Sequence, residues 1–355
     1  MTSCSLGRLL LAPLLWLRAV LFVLNILFVS VLHSLTLLPI YPIKFIFPQL
    51  YVTIECFLHS KAGETFIPVF TLFPKLRIYC DTLSVIEPLT RKRAMVMVNH
   101  QDSGDVPTMM CIGSYFGLAH NTTWIVDEMF KWTPFGVPSQ WHNDFFSKEG
   151  DKEVVIKRLK DHFTTTYFER GLKWLIFYPE GGYLKNRGER ARNWAARNNL
   201  PVLHNCVLPR TTAFIAITQS FRGEVTEVPE QVEDIIDVTL MYKGPRDLCL
   251  SDIVMGSYLD TEVYANFRTY KMSDLPKEEP ELQTWLYDRY QEKEDMIGRF
   301  KESGEFTEGE SFTQIHQSTG RLLGSFAFWY ITAFFVFDFY KSTLGHVLSL
   351  ASGFL

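Results

Sequence analysis

The sequence predicts an α/β domain, with a mixed or mostly parallel sheet flanked by helices, set between two apolar ends. Three observations carry that prediction. Short, wholly apolar runs alternate with helix-period segments through the middle of the chain. Uncharged stretches sit near both ends, while nearly all the charge lies at about 90–310. Two unusual polar clusters follow directly on apolar runs, where open α/β sheets place their ligands.

Ala94–Val98 reads as a buried strand, and Pro107 onward as a helix with Asp105 at or near its N-cap. Val154–Phe168 has amphipathic helix spacing (Val155, Leu159, Phe163, Tyr167) and is ended by Gly171. It feeds a second buried strand, KWLIFY at 173–178, which stops at Pro179-Glu180-Gly181-Gly182. VLHNCVLP (202–209) and IIDVTLMY (235–242) are two further apolar stretches. A helix over 281–300 puts Trp285, Leu286, Arg289, Tyr290 and Met296 on one face, with its charges read as solvated.

The 355 residues allow one large domain or two modest ones. With 47% hydrophobic residues, the chain is rich for a freely soluble enzyme. Net charge of −4 argues against a nucleic-acid partner. Cys4, Cys56, Cys80, Cys111, Cys206 and Cys249 are scattered without a CxxC pair, which indicates neither a zinc site nor a disulfide framework.

Ala19–Ile43 holds no charge in 25 residues, enough for a retained membrane anchor rather than a cleaved leader. Residues 322–337 are a second apolar run, followed by LGHVLSLASGFL, and read as a short span, a hairpin or a partly buried helix. Arg8 and Arg18 precede the first span and Lys44, Lys61, Lys75 and Arg77 follow it, a slight lean toward a cytosolic middle. The expected organisation is an anchor at 1–50, an α/β domain at 51–310 and a membrane-associated segment at 320–355.

His100 and Asp105 are five apart, which suits a turn that folds the carboxylate back to the imidazole rather than one helix face. A carboxylate so placed orients the ring and favours its cation, as a general base requires. The plainer reading makes Asp105 an N-cap and His100 a surface residue. No HExxH or GxSxG pattern appears. After the second strand, Gly181 and Gly182 offer uncrowded amides, followed by Lys185, Arg187, Arg190, Arg192 and Arg197, which read either as a phosphate clamp or as a solvated basic helix.

This combination resembles the glycerophospholipid acyltransferase family. NHQDSGD (99–105) looks like its first motif, WHNDFFSKEG (141–150) its second, FYPEGG (177–182) its third and NCVLPRTTAF (205–214) its fourth, with Pro209 ending a strand. NHQ-x-x-GDV, DFF, PEGG, NNLP and TWLY point toward the lysophosphatidylglycerol branch, with cardiolipin and lysophosphatidylinositol-type enzymes next. Asp102 and Ser103 depart from the usual pattern, as do Tyr178 before Pro179 and Lys148 in place of arginine.

The resemblance implies that His100 deprotonates a lysophospholipid hydroxyl, that Asp105 orients it, and that acyl-CoA donates the chain without a bound cofactor or metal. It implies head-group positioning by Lys148, Glu180, Gly181 and Gly182, anion contacts at Arg187 and Arg210, and residence in the endoplasmic reticulum membrane. Two rivals stand beside it: a silent lipid- or acyl-CoA-binding membrane protein, and a hydrolase that uses the same pair on water. Cys111 and Cys206 read as core thiols.

Overall fold

The computed structural model describes residues 3–67, 76–148, 150, 152–223, 232–258, 261–304 and 311–352. Lys75, and Glu149 of the 141–150 stretch, lie outside them. The strands are β1 (Arg77–Cys80), β2 (Ala94–Val98), β3 (Thr122–Asp127), β4 (Phe145–Ser147), β5 (Trp174–Phe177), β6 (Asp234–Lys243), β7 (Glu262–Lys271) and β8 (Thr313–Ile315). Together they form one eight-stranded sheet in the order β4-β3-β5-β2-β6-β7-β1-β8. From β4 to β6 every neighbouring pair is parallel, so five strands end on one edge. β7 then runs antiparallel to β6, β1 parallel to β7, and β8 antiparallel to β1. The sheet is mixed, as the sequence predicts.

Both faces of the sheet are covered, which is why β2 and β5 read as unbroken apolar runs rather than alternating ones. Ala94, Val96 and Val98 point into one core with Trp174, Ile176 and Val238. Met95 and Met97 point into the other with Leu175, Phe177 and Ile235. The first core is closed by α1 (Ser3–Ile40), α2 (Pro48–Phe66), α3 (Asp105–Tyr115) and α10 (Thr319–Ser352), through Phe22, Leu58, Ile112 and Trp329 among others. The second is closed by α5 (Lys152–His162), α6 (Leu184–Arg197), α7 (Thr211–Phe221) and α9 (Glu279–Ser303), through Leu159, Ala195, Ile217 and Leu286. α4 (Gly136–His142) and α8 (Leu250–Met255) complete the helices that position the site.

The terminal helices are long and apolar enough to cross a membrane, by length and composition, over Ala12–Ile40 and Thr319–Leu350. α10 is one continuous helix, which removes the hairpin from the three readings left open above. α1 keeps one stripe against the body (Ala19, Phe22, Ile26, Val29, Leu32) while Leu17, Leu21 and Leu24 face outward. Arg18 donates through Nη1 to the carbonyls of Ile253 (3.0 Å) and Val254 (2.7 Å) near the C-terminus of α8, where a cation complements the negative end of a helix. Trp141 Nε1 donates to Ser34 Oγ at 3.0 Å.

Three local expectations need correction. Residues 202–209 form no strand before Pro209. They run as a loop whose N–H groups at His204, Asn205 and Cys206 reach the Glu294 carboxylate at 2.8, 2.7 and 3.0 Å. A carboxylate thus replaces the ladder that a strand would supply. The charges of α9 are not all solvated either: Lys293 is fully buried, with Nζ 2.7 Å from Asp237 of β6. Finally, the helix over 154–168 is α-helical only to His162 and widens into a π turn over Phe163–Phe168, before Gly171 ends it at φ +69°.

α2 is tied to the body by a buried ionic cluster. Glu55 faces His142 Nδ1 at 3.3 Å and accepts from Arg170 Nη2, while His142 Nε2 donates to the Thr122 carbonyl at 3.2 Å. With an acceptor at each nitrogen, His142 carries both protons. Burial opposes that charge, but Glu55 outweighs it and the imidazole is pushed up to about 10. Because the folded value lies above the unfolded one of about 6.5, this stability is complete below about pH 6.5. It fades as pH rises through 10. Glu55→Gln leaves two buried cations unneutralised and should cost about 3 kcal/mol at pH 7. Thermal unfolding in detergent should show the wild type losing stability from pH 7 to 10, with a flatter profile for the variant. Equal melting temperatures and profiles would show that the cluster carries no stability.

Candidate active site

β2 and β5 are parallel neighbours that end on the same edge, so Asn99-His100 and Pro179–Gly182 emerge side by side. Asn99 prolongs the pairing of β2 with β6: its Nδ2 donates to the Leu240 carbonyl at 3.0 Å, and its Oδ1 accepts the Leu240 N–H at 2.7 Å. A side-chain amide, which carries the same donor and acceptor as the backbone, thereby holds the chain in register where the strand stops.

His100 Nδ1 lies 2.7 Å from Asp105 Oδ2. The turn between them closes through the Asp105 N–H to Asp102 O (3.1 Å) and the Asp102 N–H to Asp105 Oδ2 (3.2 Å). Asp105 opens α3, where the field of the helix N-terminus favours a carboxylate. Its other oxygen accepts from the Tyr242 hydroxyl. Burial pushes the Asp105 carboxyl up, and the bonds from His100 and Tyr242 pull against it. With Asp105 as acceptor, Nδ1 is the protonated nitrogen of the neutral ring, and Nε2 keeps the lone pair.

The imidazole is held on two further sides. Tyr178 stacks on it at 4.0 Å between centroids, and Tyr183 meets it edge-on at 4.3 Å. The His100 carbonyl accepts the Leu184 N–H at 2.8 Å, which seats the start of α6. Only 10% of the His100 side chain is exposed, which leaves a narrow approach to Nε2.

Four of the six expected binding residues gather at the glycine turn beside His100. Gly181 and Gly182 take φ of +66° and +155°, values that favour glycine. A Cβ on Gly181 would lie 3.1 Å from the Arg210 side chain, and one on Gly182 only 2.4 Å from Arg187 Nε. Both guanidinium groups therefore flank the glycine turn. Arg210 is fixed there by its N–H to the Pro179 carbonyl at 2.8 Å.

Glu180 is placed differently from the two glycines that follow it. It is 1% exposed, and its oxygens accept the N–H groups of His100 (2.9 Å) and Val207 (3.2 Å), so the carboxylate faces into the protein. Burial pushes its pKa well up, and those two donors oppose the shift. Lys148 is exposed just past β4 and pairs with Glu128 at 3.5 Å. β4 is three strands from β2, about 14 Å at usual strand spacing, so Lys148 shares the edge without reaching the dyad.

Sequence reasoning missed Tyr242, Tyr183 and the ladder role of Asn99. Tyr242 lies 137 positions from Asp105, and no local spacing announces such a contact. Cys111 and Cys206 are buried thiols with pKa values pushed well up by burial, which fits the core reading. Glu55, Cys56 and His142 bring potential ligand atoms within 4.8 Å of one another, but Arg170 and the Thr122 carbonyl already engage that set, and it does not fit a cation.

Residues 256–329 match the family described as Acyltransferase C-terminus. The chain is 34% identical to human acyl-CoA:lysophosphatidylglycerol acyltransferase 1 over 239 residues, 62% of this chain and 64% of that protein. The mouse protein of the same name is 32% identical over the same shares. Human 1-acyl-sn-glycerol-3-phosphate acyltransferase gamma is 25% identical over 272 residues, 74% of this chain and 68% of that one. The chain spans just under two thirds of the length of the first two. The similarity is to glycerophospholipid acyltransferases of the 1-acylglycerol-3-phosphate type, and at this identity it singles out no branch.

Two glycines of one turn-and-helix unit test the packing at this edge. A Cβ on Gly104 would stand 2.3 Å from the Leu248 carbonyl oxygen, whereas one on Gly113 meets nothing within 4 Å. Gly104→Ala should cost about 1–3 kcal/mol by forcing backbone apart. Gly113→Ala, inside α3, should gain up to about 1 kcal/mol. Unfolding of both variants by heat checks the contrast; equal stabilities would contradict the close approach.

Proposed function

We propose that the chain is an acyl-CoA-dependent lysophospholipid O-acyltransferase, a reading supported by its similarity to glycerophospholipid acyltransferases. The observation that carries the reading is the 2.7 Å contact between His100 Nδ1 and the buried Asp105, beside a glycine turn flanked by Arg187 and Arg210. The relatives named for acyl-CoA support the donor. In phospholipid remodelling, lysophosphatidylglycerol is the preferred acceptor, on the name of the human and mouse relatives at 34% and 32% identity. Lysophosphatidylinositol, lysophosphatidylethanolamine and lysocardiolipin are the alternatives.

His100 Nε2 takes the proton of the free acceptor hydroxyl, while Asp105 holds the ring and stabilises the imidazolium. The oxygen attacks the thioester carbonyl carbon, the C–S bond breaks, and the coenzyme A thiolate leaves with the proton that His100 returns. Tyr242 is a positioning residue, acting through Asp105. Arg187, Arg210 and the amides of Gly181 and Gly182 suit the acceptor phosphate. Lys148 belongs to the outer, basic part of the same edge, and Glu180 holds the site together from within. Residues 1–50 and 320–355 serve as membrane-associated segments around an α/β domain at 51–310, in the endoplasmic reticulum membrane.

His100→Ala should lower kcat by roughly 10²–10⁴, and Tyr242→Phe by about tenfold, the worth of one hydrogen bond to a charged group. Acyl transfer from oleoyl- and stearoyl-CoA to a panel of lysophospholipids, with membranes carrying each variant, measures both and names the acceptor. Activity surviving in His100→Ala would overturn the base assignment. A wild type inactive on every lysolipid would overturn the reaction.

A further inference from the structure

α6 is strongly basic. Lys185, Arg187, Arg190, Arg192 and Arg197 stand against a single carboxylate, Glu189. The helix buries Gly188 and Ala195 on its inner side. At helical spacing Arg187, Arg190, Trp194 and Arg197 fall within roughly 80° of one another on the outer side, along about 15 Å. Arg190 and Arg197 are exposed, and Trp194 presents half of its surface to solvent. Among the described residues neither Arg190 nor Arg197 forms an ion pair.

This stripe begins at the dyad and leads away from the apolar helices. Arg187 rests on Gly182, and the Leu184 N–H reaches the His100 carbonyl. Ala195 belongs to the core on the α5, α7 and α9 side of the sheet, whereas α1, α2 and α10 close the opposite core. A lipid surface meeting α1 and α10 would therefore lie across the sheet from α6. The stripe suits a soluble ligand with several phosphates and a planar base, joined by an uncharged arm to a group that reaches His100.

Resting on the acyltransferase reading, we propose that the outer stripe of α6 binds the nucleotide end of coenzyme A: Arg190 and Arg197 take its phosphates and Trp194 stacks on its adenine. The coenzyme then reaches the glycine turn along α6, on the face of the sheet away from α1 and α10. Guanidinium groups pair well with phosphate oxygens, and an indole face accepts any base.

The test uses the full-length protein in detergent, with desulfo-coenzyme A as a probe that binds without turning over. R190E/R197E should bind it about tenfold more weakly, the loss expected for hydrogen bonds to charged groups. W194A should weaken it as well, and the wild type's preference for the probe over its 3′-dephospho form should shrink in R190E/R197E. The KM for acyl-CoA should rise in step, with the KM for the lysophospholipid and flotation on phosphatidylglycerol vesicles unchanged. Unaltered probe binding overturns the proposal, as does lost flotation with probe binding intact, which would make the stripe a lipid-facing surface. A wild type that binds the probe but acylates no lysophospholipid would sink the acyltransferase reading alone, because the charge reversal still reports on the stripe.

Discussion

The geometry of the candidate site depends on one buried carboxylate. Glu180 joins the backbone of His100 to that of Val207, so the end of β2, the end of β5 and the 202–209 loop are fixed to one another at a single point. Such a group is costly to bury unless its oxygens are satisfied, and here backbone N–H groups satisfy both. The turn from His100 to Asp105, the glycine turn and the seat of Arg210 all take their places relative to that brace.

The same device recurs beneath it. Glu294 of α9 collects three consecutive N–H groups from the 202–209 loop, and Lys293, its neighbour, is buried on Asp237 of β6. α9 is thus an internal scaffold as much as a covering helix. Its charged sequence concealed this, since alternating acids and bases look alike whether they meet water or a buried counter-charge.

What was legible in the sequence follows from range. β2, β5 and β6 announced themselves because burial on both faces demands continuous apolar runs. His100 and Asp105 were found together because their contact is closed within one turn. Residues 202–209 misled because an apolar run ending in proline has the composition of a strand, while the carboxylate that satisfies its backbone lies nearly ninety positions away. Tyr242 and the inward turn of Glu180 were hidden for the same reason. Each is a long-range polar contact, for which one sequence has no periodicity to offer. Lys148 was read from a motif position, yet the strand order sets it at the far end of the edge.

The hold of Arg18 on α8 has a mechanical consequence. α8 starts at Leu250, whose N–H is bound by Ser103 Oγ at 2.9 Å, and the Leu248 carbonyl accepts the Gly104 N–H at 3.0 Å. Ser103 and Gly104 are the residues directly before Asp105. An apolar terminal helix and the carboxylate of the dyad are therefore linked through one short helix, with a guanidinium at one end and a turn at the other. Sliding of α1 along its own axis would therefore strain this linkage as well as the Trp141–Ser34 contact, and so reach the turn that holds His100.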